Sequence, residues 1–106
     1  MITDALGFLQ SWYTSHCDGD WEHSYGVTID TLDNPGWRLK IDLLSTPLAG
    51  ALLDRLVVER TEDDWVHVWS DGTHFEGACG PLNLGEVLEH FRVFAGPASA
   101  RGGEHV

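Results

Sequence analysis

Basic residues are scarce in this sequence. Its 106 residues include six Lys and Arg against 17 Asp and Glu, for a net charge of −11 and a pI near 4.6. None of the six bases precedes Arg38. Gripping nucleic acid through its phosphates needs a basic footprint, so the shortage argues against that class of partner. A basic protein or a cation fits the balance better. Cysteine is equally thin: Cys17 and Cys79 are too few for a disulfide framework, and two free thiols in a reducing compartment are expected. Long apolar runs are missing as well. No stretch approaches the roughly 20 residues of a membrane span, and Met1-Ile2-Thr3-Asp4 lacks the basic opening of a secretory signal. A cytoplasmic protein without membrane contact is the expectation. No phosphate-cradling glycine loop is present either, since Gly77-Ala78-Cys79-Gly80 reads as a strand end, and no cofactor is expected.

What is present describes a folded domain. Hydrophobic residues make up 42% and charged residues 22% of the chain, too apolar for a disordered tail. The length suits a single core, assigned to residues 1–95. Residues 96–106 lack apolar periodicity and read as a flexible tail. Five tryptophans in so short a chain are the second anomaly.

The first element reads as a helix, with Thr3 as N-cap and Asp4 just inside it, where a carboxylate suits the positive helix end. Leu6, Leu9, Trp12 and Tyr13 recur at helical spacing, with Phe8 on the flank, and Cys17-Asp18-Gly19-Asp20 reads as a loop. Tyr25, Val27 and Ile29 alternate with polar residues as a strand. Asn34-Pro35-Gly36-Trp37 suits a type II turn with positive φ at Gly36. Trp37, Leu39, Ile41 and Leu43 then line one strand face opposite Arg38, Lys40 and Asp42. Residues 44–54 stay open between a short helical turn and an irregular connection. Leu56-Val57-Val58 leads into an acidic turn at Thr61-Glu62-Asp63-Asp64. Residues 65–69 follow as a strand, with Trp65, His67 and Trp69 on one face and Val66 and Val68 on the other. Asp71-Gly72 signals a type I′ hairpin into a fifth strand over 73–78. Asn83 with Glu86 three residues on has capping-box spacing, ahead of the stripe Leu84, Val87, Leu88, Phe91 and Phe94. The class is α+β: an antiparallel sheet of about five strands flanked by an N-terminal and a C-terminal helix.

Two groups of residues invite chemistry. His16-Cys17-Asp18-Gly19-Asp20-Trp21-Glu22-His23 contains every common metal-ligand type, and a small metal-dependent or thiol hydrolase centred on Cys17, Asp18, Asp20 and His23 is the alternative functional reading. Its spacing argues against it. A calcium loop counted from Asp18 places His23 where glycine belongs and Ile29 where glutamate belongs. No zinc spacing is present, and no strained elbow supports a nucleophile, so neither metal ligands nor catalytic residues are assigned. The tryptophans form the second group. Trp12 and Trp37 lie on apolar stripes. The strip of Trp65 and Trp69 either looks outward as an interface or lies under helices with the valines outside.

Trp12-Tyr13, Cys17-Asp18-Gly19-Asp20-Trp21-Glu22-His23-Ser24-Tyr25-Gly26 and Thr31-Leu32-Asp33-Asn34-Pro35-Gly36-Trp37 together resemble the immunity protein 53 family. Asp64-Trp65, Phe75-Glu76-Gly77 and Gly80-Pro81-Leu82-Asn83-Leu84 through Phe91 extend the likeness over about Leu6 to Phe94. The resemblance implies a bacterial immunity protein, a non-enzymatic inhibitor that binds a toxin encoded beside it. Such a protein needs a stable surface and fast association, and a strongly acidic face accelerates encounter with a basic toxin such as a nuclease. The expected contact residues are Asp18, Asp20, Glu22 and Asp33 with Trp37 nearby, and secondarily Glu62, Asp63, Asp64 and Trp65. Against this stands the ordinary role of surface acids, which solvate the chain or pair with Arg38, Lys40 or Arg60. Whether the protein is a monomer or a homodimer is not decided by the sequence.

Overall fold

A computed structural model describes residues 4–104, with side chains described for 4–96. The order is α1 (Ala5–His16), α2 (Trp21–Ser24), β1 (Val27–Leu32), β2 (Gly36–Asp42), β3 (Leu52–Thr61), β4 (Asp64–Asp71), β5 (His74–Cys79) and α3 (Leu84–Glu104). The five strands form one antiparallel sheet in the order β1-β2-β5-β4-β3. The expected α+β class and strand number are both found. The one-turn helix α2 is an addition. The expected tail at 96–106 lies, apart from Gly96, outside the described side chains.

Helices α1 and α3 pack on each other and on one face of the sheet. Leu39, Ile41, Val66, Val68, Phe75 and Cys79 point into this layer and are almost fully buried, as are Val87 and Phe91 of α3. From α1 only Leu9 and Trp12 are buried; Leu6 and Tyr13 of the expected stripe lie outside. The ring of Phe91 meets Trp12 edge-on at 5.1 Å and Phe75 at 5.2 Å, tying both helices to the sheet. Replacing such a ring by Ala costs about 3–5 kcal/mol.

Four local readings are corrected. Asp4, not Thr3, caps α1: its carboxylate accepts the Gly7 N–H at 2.6 Å, and Thr3 lies outside the described residues. The β1–β2 turn is not type II, because Gly36 already pairs with Leu32 as the first residue of β2 and its φ is not positive. Glycine is needed there for close approach, since a Cβ would sit 2.2 Å from the Cys79 carbonyl oxygen. The β4–β5 turn has positive φ at Gly72 but not at Asp71, so it is not type I′. The Asp71 carboxylate holds it instead, accepting the N–H groups of Thr73 and His74 at 2.9 Å each. Finally, β1 is an edge strand whose apolar alternation does not produce a buried face, and Ile29 is exposed. The open segment 44–54 resolves into turns as far as Gly50, with Thr46 buried on the Leu43 carbonyl, before β3 begins at Leu52.

Candidate functional site

The antiparallel strands leave two ends to the sheet, and the acids divide between them. One end carries α2, the turns after β2 and the Asp71 turn. The other carries the β1–β2 turn, the β3–β4 turn and the entry to α3. Asp18, Asp20 and Glu22 lie at the first end. Asp33, Trp37, Glu62, Asp63, Asp64 and Trp65 lie at the second. Strand β1 separates Asp18–Glu22 from Asp33 by its whole length, about 17 Å. The expected grouping of Asp33 and Trp37 with Asp18 is therefore not what the fold assembles; they join the Glu62–Trp65 group.

At the α2 end the acids serve the backbone. The Asp18 carboxylate accepts the N–H groups of Asp20 and Trp21 at 2.9 and 3.0 Å. Glu22 returns the favour, accepting from Asp18 and Gly19 at 2.9 Å each. Hydrogen bonds to a charged form favour it, so the Asp18 carboxyl is lowered, chiefly by the Trp21 amide and then Asp20. The Glu22 carboxyl is lowered too, first by its own backbone amide and then by Gly19 and Asp18. This reciprocal pair closes the loop and seats Trp21, which is buried against Trp12 and donates its indole N–H to the Leu44 carbonyl at 3.0 Å. Asp20 is exposed, and no hydrogen bond among the described residues holds its carboxylate.

The same loop was the basis of the hydrolase alternative. The Cys17 thiol donates to the Tyr13 carbonyl at 3.3 Å, and no hydrogen bond joins it to His23, which is exposed on α2. Burial lowers the pKa of His16, whose ring stacks edge-on with Trp12 at 4.5 Å. Among the described residues no three His, Cys, Asp or Glu side chains converge on a common point for a metal ion.

The turn end is built differently. Thr61 pairs with Asp64, so Glu62 and Asp63 form the tip of the β3–β4 hairpin, exposed and without a hydrogen-bond partner for either carboxylate among the described residues. Asp33 is equally exposed in the β1–β2 turn. Asp64, by contrast, is engaged. Its carboxylate accepts from Arg60 at 2.8 Å and from the Asn83 amide at 2.9 Å, and these contacts, Asn83 first, lower its pKa. Arg60 also meets both oxygens of Glu86 on α3, so its guanidinium is held by three carboxylate oxygens. This network clamps the acidic hairpin to the start of α3. It also changes the expected capping box: the Asn83 amide donates to Asp64 and Glu86, and its Oδ1 is buried without a partner.

Trp37 is half-buried on the core side, where its indole N–H donates to the Pro81 carbonyl at 3.0 Å. Trp65 takes the opposite side of the sheet. The burial of Val66 and Val68 settles the orientation of β4: the valines enter the core, and Trp65, His67 and Trp69 lie half-exposed on the face away from the helices. Beside the hairpin, Glu59, Arg60, Thr61, Glu62, Trp65 and His67 line an open cleft of about 520 Å³. Glu59 pairs with Trp65 across the two strands and accepts from His67 at 2.9 Å. Glu59 and His67 were not among the expected contact residues. The signal for His67 was available, since β-alternation puts it on Trp65's face; Glu59 comes opposite Trp65 only through a register shift between Glu59 and Thr61, because unbroken pairing from Thr61 and Asp64 would put Arg60 there.

No curated protein and no solved structure matches the chain. No helix among the described residues is long and apolar enough to cross a membrane. The sequence model of immunity protein 53 matches residues 6–96, which takes in both acidic ends, the cleft and the packed core. The chain belongs to the immunity protein 53 family.

Proposed function

We propose that this protein neutralises a cognate toxin by binding it, without chemistry of its own, and that the hairpin end of the sheet makes the contact. The observation that carries this reading is the cleft in which Glu59 and Glu62 flank the exposed side of Trp65. An indole beside two carboxylates suits a Lys or Arg side chain, through ring attraction and charge together. The one base in the cleft wall, Arg60, is already neutralised by Asp64 and Glu86. Asp33, Asp63, Asp18 and Asp20 add a long-range negative field that accelerates encounter with a basic partner, a role that requires charge but no direct contact. A nuclease with a basic active-site cleft is the toxin class that such a field complements.

The experiment is co-expression with the neighbouring toxin gene in the cytoplasm of a bacterial host. Growth is expected to be rescued by the wild-type protein. A Trp65→Ala, Glu62→Lys variant that folds normally is expected to rescue poorly. Persistent killing in the presence of abundant, folded wild-type protein would overturn the immunity role. Full rescue by the double variant would move the contact away from the hairpin end.

A further inference from the structure

The tryptophan strip of β4 faces two breaks in the register of β3, and the two breaks do opposite things with an arginine. In the first, between Leu53 and Leu56, Asp54 and Arg55 both fall opposite Trp69, and the Arg55 guanidinium stands 3.9 Å from the centre of that ring. The second lies between Glu59 and Thr61. Unbroken pairing would set Arg60 opposite Trp65; the shift sets Glu59 there, and the Arg60 guanidinium goes to Asp64 and Glu86. One indole is thus covered by the chain's own arginine. The other keeps an open cleft of about 520 Å³ with Glu59 and Glu62 in its wall, and among the described residues no cation stacks on it.

We infer that the Trp65 cleft takes an arginine of the toxin in preference to a lysine, and that His67 is the positioning residue that holds Glu59 for it. This rests on the hairpin end being the toxin contact, and it narrows the cation taken there.

Arg55 fixes the proton on His67. Its Nη1 lies 3.4 Å from the His67 Nδ1, and a guanidinium can only donate, so Nδ1 accepts and the ring proton sits on Nε2. That nitrogen donates to Oε2 of Glu59 at 2.9 Å. One oxygen of Glu59 is thereby tied to the sheet, while the other has no hydrogen-bond partner among the described residues. The same imidazole meets Trp65 edge-on, with ring centres 5.2 Å apart. It therefore braces both the carboxylate and the indole of the cleft.

The choice of arginine follows from shape. A guanidinium lying on an indole keeps its N–H donors in its own plane, free to reach acceptors beside the ring. Arg55 does this, covering Trp69 while it donates to His67. Over Trp65 the acceptors to hand are the carboxylates of Glu59 and Glu62. An ammonium has no flat face, and its diverging donors hold water that stacking would strip away.

The test is titration of the whole isotope-labelled chain, without toxin, by ethylguanidinium and by ethylammonium at equal ionic strength, read by NMR at the indole N–H groups. Ethylguanidinium is expected to shift Trp65 saturably with a Kd of about 10–50 mM, modest as befits so small a ligand. Ethylammonium should bind at least about fivefold more weakly. Trp69, already covered by Arg55, should stay silent. His67→Ala should weaken the guanidinium about fivefold, and His67→Gln, which keeps an N–H donor, should recover most of the loss. Circular dichroism confirms that each variant is folded. A Trp65 indole that responds no more than Trp69 overturns the site, and equal affinity for the two probes overturns the preference for arginine. Wild-type binding in His67→Ala, or an equal loss in His67→Gln, removes His67 from its role. Probe binding at Trp65 combined with full growth rescue by the Trp65→Ala, Glu62→Lys variant overturns the hairpin contact instead, and with it the toxin as the source of the arginine.

Discussion

The α2 loop and the β3–β4 hairpin are both short, exposed and acidic, yet their carboxylates do opposite things. In the loop, Asp18 and Glu22 point back at backbone amides and close the turn that seats Trp21. In the hairpin, Glu62 and Asp63 stand at a tip whose geometry is set by strand pairing and by the Arg60–Asp64–Glu86 clamp beneath it, so the fold makes no use of their own charges. Acidity alone does not mark a binding surface. What distinguishes the two regions is whether the fold needs the carboxylate to satisfy its own amides.

The contrast is broken most forcefully from beneath the loop. Trp21 is 5% exposed and packs edge-on against Trp12 and Tyr13, so Trp21→Ala removes a large buried ring and a hydrogen bond to Leu44. A loss of about 3–5 kcal/mol is expected in urea unfolding, with little change in m. A loss under about 1 kcal/mol would show that the loop carries no structural weight. At the hairpin the expected response lies in kinetics. Glu62→Lys with Asp63→Lys should lower the association rate for a basic toxin about tenfold at low salt, while the melting temperature moves by only about 2 °C. The rate difference should shrink as ionic strength rises. An unchanged association rate would remove the hairpin from the encounter surface.

The loop's acids make the complementary case. Asp18→Ala removes an acceptor shared by two backbone N–H groups and should lower the melting temperature by about 5 °C. Equilibrium affinity for the toxin should stay within about twofold, because the contact proposed at the other end of the sheet is untouched. A large loss of affinity with little loss of stability would reverse the roles assigned to the two regions.

Much of this was legible in the residues. The alternation Trp37, Leu39, Ile41, Leu43 fixes which face of β2 enters the core, and the long apolar stripe of α3 fixes its packing side. The orientation of β4 was not legible. Trp65 and Trp69 offer as much apolar surface as Val66 and Val68, and period-2 alternation names two faces without saying which one a helix covers. The pairing of β2 and β4 with β5 decides it, because Leu39, Val68 and Gly77 fall in one register row beneath Val87. The site was half legible for the same reason. Composition located both acidic groups, but which end of a strand a turn occupies follows from strand order, and that order depends on contacts far apart in sequence. Trp37 and Asp33 thus changed partners on folding.

The finest test of the contrast is the acid limb of the stability curve. Asp18, Glu22 and Asp71 all lie at the loop end, and all accept backbone N–H groups that lower their carboxyl pKa in the folded state; for Asp71, Thr73 contributes most and brings the value to about 2. A carboxyl lowered on folding stabilises the protein above its unfolded pKa, and that stabilisation is lost as pH falls through the folded value. Asp71→Asn mimics the protonated side chain at every pH. Its stability should therefore lie below that of the wild type from neutral pH down to about pH 4, the ordinary aspartate range. The two curves should then draw together below pH 4 and meet as pH falls through about 2, where the wild-type carboxyl itself takes up its proton. Asp18→Asn should show the same convergence, complete at a higher pH if its amide contacts hold the proton off less strongly than the Asp71 turn does. Parallel curves, with a constant offset from pH 7 to 2, would mean that these carboxylates act through shape and not through charge. In that case the loop end would owe its rigidity to Trp21 alone.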